Sequence, residues 1–98
     1  MTKSSFHQSL SLSSPPDSFD PYFKALWYVF NGDWQSAHDI VDGPPGNTYA
    51  WLHALVHRME GDKWNANYWY RRAGHEFPEI SITEEKSRIL DSLLEESS

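Results

Sequence analysis

The chain has 98 residues and a mass of 11.4 kDa, which fits one small domain near the size where a single hydrophobic core is marginal. Apolar residues make up 39% of it, and five each of Phe, Trp and Tyr can close a core from few positions. The net charge is −6, and the absence of cysteine excludes a disulfide framework, a thiolate metal site and a Cys nucleophile, and fits a reducing, cytoplasmic address.

The charge is unevenly spread. Residues 17–42 carry five acids (Asp17, Asp20, Asp33, Asp39, Asp42) against Lys24, and residues 79–98 carry six against Lys86 and Arg88. Between them, Arg58, Lys63, Arg71 and Arg72 outnumber Glu60, Asp62 and Glu76. An acidic body with one mildly basic waist is wrong for nucleic acid, which calls for a basic face to neutralise phosphates. The opening stretch Met1–His7 has no apolar run of signal type, and nothing further on approaches a membrane span, so no membrane partner is expected.

In chain order, residues 1–17 are rich in serine, contain Pro15-Pro16 and show no sustained apolar period, which predicts a disordered tail. A single helical domain follows over 18–98. Asp20-Pro21 supplies an N-cap and a first-turn proline for a helix to about Asn31, apolar nearly all round through Tyr22, Phe23, Ala25, Leu26, Trp27, Val29 and Phe30. Gly32-Asp33 ends it and starts the next helix, about 34–42, with Trp34, Ala37, Ile40 and Val41 on one side. Gly43-Pro44-Pro45-Gly46 is a break, after which Asn47 or Thr48 is expected to cap a helix to about Glu60. Gly61-Asp62 repeats the punctuation, and a helix from Lys63 to about Ala73 closes at Gly74 and Pro78. Ser81-Ile82-Thr83-Glu84 matches a capping box for an amphipathic helix over about 82–96, carried by Ile82, Ile89, Leu90, Leu93 and Leu94, with fraying expected at Glu95 and Glu96.

An internal repeat organises the middle of the chain. An offset of 29 superposes Gly32-Asp33 on Gly61-Asp62, Ala25-Leu26 on Ala54-Leu55, and Ala37 on Ala66. Each unit reads as a helix, a Gly-Asp turn and a second helix with a small residue at the crossing. The expected fold is all-α: antiparallel hairpins over about 20–42 and 47–74, capped by the C-terminal helix. The second unit resembles a tetratricopeptide repeat at Ala54, Gly61-Asp62, Ala66, Tyr70, Ala73 and Pro78. The first unit matches in part, at Ala25, Tyr28, Gly32-Asp33-Trp34 and Ala37. The stretch Ala66–Ala73 is also similar to the end of the Sel-like variant of that repeat. The resemblance implies an α-solenoid fragment serving as a protein-binding scaffold without catalysis.

Two stripes are candidate sites. On the helix over 47–60, Trp51, Leu52, Leu55, Val56 and Met59 form the apolar side, while His53, His57 and Glu60 recur at i, i+4, i+7. Two histidines one turn apart are half of a metal site, and Glu60 offers a third ligand. The plainer reading is preferred, in which both histidines pack on the following helix and are hydrogen-bonded, and no cofactor is expected. On the helix over 63–73, Ala66, Trp69, Tyr70 and Ala73 form the core face, leaving Trp64, Tyr68, Arg71 and His75 on the opposite side. Trp, Tyr and Arg are the residues enriched at binding hot spots, so this stripe is the candidate partner surface. The competing and preferred expectation is that the C-terminal helix covers it, with Arg71 stacked on Tyr68. Asp39, Asp42, Glu76 and Glu79 show no pairing and read as solvated surface. The expected function is a small non-catalytic intracellular interaction module with an unknown protein partner. A metal- or small-ligand-binding protein and an obligate homodimer are the rivals.

Overall fold

The computed structural model describes residues 1–97, which form six helices and no strand: α1 (Lys3–Ser9), α2 (Pro21–Phe30), α3 (Trp34–Val41), α4 (Asn47–Glu60), α5 (Lys63–Arg72) and α6 (Ile82–Ser97). Three of the helix starts are set by aspartate. Asp20, Asp33 and Asp62 accept hydrogen bonds from the backbone N–H of Phe23, Ser36 and Asn65, three residues into α2, α3 and α5. The bonds from the Ser36 side chain and backbone hold Asp33 below its ordinary pKa, and those from the Asn65 backbone and side chain do the same for Asp62.

The two Gly-Asp turns are closed by the same pair of bonds. Gly32 and Gly61 both take positive φ, 78° and 89°. Asp33 N–H donates to Tyr28 C=O and Asp62 N–H to His57 C=O, each at 2.9 Å. Gly32 donates to Val29 and Gly61 to Arg58, each at 3.1 Å. These paired closures satisfy the last free carbonyls of α2 and α4, and only a residue free to adopt positive φ can make them. The small residues at equivalent places, Ala25 and Ala54, Ala37 and Ala66, are all fully buried.

One main core joins α1, α2, α3, α4 and α6 through Phe6, Phe23, Leu26, Val29, Val41, Leu52, Leu55, Val56, Ile89, Leu90 and Leu93. A smaller cluster of Ala54, Ala66 and Tyr70 joins α4 to α5. Helix α6 packs on α2 and α4.

Three local expectations are corrected. The N-terminal segment is not a disordered tail: Lys3–Ser9 is helical, started by a reciprocal Thr2–Ser5 cap, and its Phe6 is fully buried. Phe6 sits among Phe19, Phe23 and Phe30 with ring centroids 6.0, 6.3 and 5.3 Å away, and Trp27 Nε1–H donates to Ser9 C=O at 3.0 Å. One aromatic anchor and one buried hydrogen bond order a segment whose composition is otherwise polar. Neither Asn47 nor Thr48 caps α4. Its N-cap is Gly46, at φ 119°, with no side-chain cap bond. Helix α6 continues past Glu95 and Glu96 to Ser97, and the Ser81 hydroxyl caps it by accepting from Glu84 N–H.

Candidate functional site

Helix α5 turns Ala66 and Tyr70 inward, and its opposite side is open. Trp64 is 78% exposed and Tyr68 46% exposed, with Arg71 also in solvent. The C-terminal helix does not cover them, because its apolar stripe is spent on α2 and α4. Trp64, Asn67, Tyr68, Arg71 and Arg72 line a shallow depression. The cation stacked on this face is Arg72 rather than Arg71: its guanidinium lies 5.7 Å from the Tyr68 ring and 5.4 Å from the Trp69 ring, and Nη1 donates to Tyr68 Oη at 3.2 Å. His75 leaves the stripe. It lies beyond the end of α5, where its N–H closes on Tyr70 C=O and its ring stacks on Trp51 at 4.5 Å.

The histidine stripe on α4 is brought together differently from its spacing. His53 is only 3% exposed, stacked on Trp69 with centroids 3.9 Å apart and planes 12° apart. His57 is half-buried, its ring centroid 4.9 Å from that of His53. Packing against α5 is therefore as expected for His53, but hydrogen bonding is not. Nδ1 of both His53 and His57 is buried without a hydrogen-bond partner. Glu60 is exposed and reaches only His57, at 3.8 Å, too long for a hydrogen bond. The third group is His38 of α3, whose ring lies 4.8 Å from His53 and 5.4 Å from His57. One nitrogen from each of His38, His53 and His57 lies within 4.8 Å of the others. Burial, and after it the neighbouring His57 and His38, pushes His53 down to about 4, with Asp42 opposing. His53 is thus neutral at pH 7.

A second polar cluster was not singled out in the sequence. Glu85 of α6 is 2% exposed, and its carboxylate accepts from Tyr70 Oη at 2.6 and 2.8 Å, from Arg58 Nη1 at 2.9 Å and from Trp51 Nε1 at 3.1 Å. Arg58 also donates to the Ile80 carbonyl. Burial, aided by the Glu85 carboxylate, pushes the Tyr70 hydroxyl well above its ordinary value, so it stays a donor. Tyr70, Arg58 and Trp51 all donate to one carboxylate that α6 carries to α4 and α5, which makes it a structural tie. Asp39, Asp42, Glu76 and Glu79 are all exposed and belong to no such arrangement.

Among the described residues no helix is long and apolar enough to cross a membrane. No family model matches the chain, and neither a curated protein nor a solved structure matches it.

Proposed function

We propose that this chain is a small, non-catalytic, cytoplasmic protein-interaction module of tetratricopeptide-like type, which takes an acidic segment of a partner protein on the outer face of α5. The observation that carries the reading is Trp64, 78% exposed beside Tyr68 and Arg71. An indole left in water next to a second aromatic ring and a guanidinium has the composition of a binding hot spot. The occupant follows from charge. Lys63, Arg71 and Arg72 belong to α5, and none of them enters an ion pair among the described residues, on a chain of net charge −6. An acidic segment with an apolar or aromatic side chain complements this patch and is repelled elsewhere on the surface. Arg72, already held over Tyr68 and Trp69, has part of its ordering cost met before a partner arrives. The two Gly-Asp turns, matched bond for bond, support the repeat character of the reading.

Selection from a random displayed peptide library tests it. The expected peptides are acidic with an aromatic or apolar anchor, and they bind Trp64→Ala or Arg71→Ala about thirtyfold more weakly, the equivalent of about 2 kcal/mol. Peptides without acidic bias, or equal binding by both variants, would overturn it. A dimer in sedimentation that dissociates in Trp64→Ala would assign the face to self-association instead.

A further inference from the structure

We propose that His38, His53 and His57 form a binding site for a divalent late first-row metal ion of the zinc class, with a fourth coordination position open to the cleft beside α3. The inference is independent of the partner surface on α5.

Four observations converge on it. The three imidazoles come from two helices, and one nitrogen of each already lies within 4.8 Å of the other two. Their ring centroids are 4.8, 4.9 and 5.4 Å apart. In a tetrahedral site with metal–nitrogen bonds of about 2.0–2.1 Å, imidazole centroids fall about 5 Å apart, close to the spacing here. Nδ1 of His53 and of His57 is buried with no partner, a state that costs free energy and that an ion accepting a nitrogen lone pair would relieve. The cluster also has a way in. His38 and His57 line an open cleft together with Trp34, Gln35, Asp39 and Glu60, so two carboxylates stand at its mouth where they draw in a cation.

The donor set narrows the ion. Three imidazoles without a thiolate suit zinc, copper or nickel over magnesium or calcium, which take oxygen ligands. The planes of His53 and His57 are only 18° apart, so one ring must turn for both lone pairs to meet on one ion. His53 is stacked on Trp69, whereas His57 lines the cleft, so His57 is the ring that turns. Trp69 is therefore a positioning residue for His53. Glu60, the third ligand suggested by the i, i+4, i+7 spacing, belongs with Asp62 to a separate outer group around His57.

The test uses the full chain without a histidine tag, stripped with chelator and titrated with zinc against a chromophoric competitor. One zinc per chain is expected. His38→Gln and His57→Gln, both at partly exposed positions, should each weaken binding by at least the roughly 10–100-fold that even an outer-shell partner is worth. Glu60→Gln, which removes one carboxylate from the mouth of the cleft but no ligand, should weaken binding far less than either histidine variant. Circular dichroism of each metal-free variant checks that it folds. Cobalt(II) added to the unaltered protein gives a second readout: intense four-coordinate visible bands are expected, and weak six-coordinate bands would overturn the site. So would failure to hold zinc against the competitor, or undiminished binding in His38→Gln. Loss of binding in Glu60→Gln with His38→Gln unaffected would place the ion in the outer group and refute this one.

Discussion

The Tyr70 hydroxyl donates to both oxygens of the Glu85 carboxylate, at 2.6 and 2.8 Å, across fifteen residues of sequence. Arg58 and Trp51 point at the same group, so one side chain satisfies the buried polar atoms of three others. Glu85→Ala strands Arg58 and Tyr70 in the interior and is expected to cost about 3–5 kcal/mol, as removal of one partner from a buried ion pair does. Glu85→Gln, which keeps the acceptor oxygen, should cost less. Urea unfolding of the two variants measures the difference, and equal losses would show that the retained acceptor contributes nothing.

Phe6 is the anchor of the N-terminal helix. Phe6→Ala is expected to lower stability by about 3–5 kcal/mol, the usual cost of truncating a buried Phe. Deleting residues 1–10 should lower the melting temperature at least as far. A melting temperature unchanged by both would show that α1 does not dock in solution.

Trp64→Ala should leave the monomer within about 0.5 kcal/mol of the parent, since surface substitutions remove few contacts. Loss of several kcal/mol in a denaturant curve would mean that the indole is covered by a part of this chain.

Ala66 sits fully buried between α5 and α4, beside Ala54 and Tyr70. Ala66→Leu overpacks that crossing and should cost about 1–3 kcal/mol. Ala37→Leu, at the equivalent place after the first Gly-Asp turn, should do the same. A tolerant Ala66 would show that α4 and α5 can separate without penalty.

His53 makes the fold sensitive to mild acid. Its folded pKa lies at about 4, below the 6.5 of the unfolded chain, because of burial and the neighbouring His57 and His38. Between these values the unfolded chain binds more protons than the folded one. The stability is complete above pH 6.5 and falls as pH drops toward 4, with a slope of at most about 1.4 kcal/mol per pH unit. Urea midpoints measured across this window with chelator present should show an excess slope that His53→Phe lacks. Parallel curves for the two proteins would contradict the burial of a neutral imidazole.

The helices were legible because their signals are local. Asp20, Asp33 and Asp62 announce starts, and Gly32 and Gly61 announce stops, within three residues of the bonds they make. The candidate sites were half legible for the complementary reason. Trp64, Tyr68 and Arg71 share one face of α5 by periodicity alone. His38 joins His53 and His57 only because α3 packs on α4, and no spacing along the chain encodes that contact. Glu85 is one of six acids over residues 79–98 with no local mark of burial, and only the arrival of Arg58, Tyr70 and Trp51 from α4 and α5 makes its burial tolerable. The N-terminal helix was missed because one Phe carries it, and composition averages a single anchor away.

The Lys3–Asp91 ion pair, 2.9 Å long between residues 88 apart, bears on the order of folding events. The α2–α3 and α4–α5 contacts are short-range, and such contacts close quickly. Seating α1 against α6 requires closing a loop of nearly the whole chain, whose entropy is regained only after both surfaces exist. The α1–α6 contact is thus expected to form after the contacts of Phe6 and Ser9 with α2 on refolding, and to open before them on unfolding. A fluorescence phase reporting Trp27, which bonds to Ser9, should therefore be unchanged in Lys3→Ala.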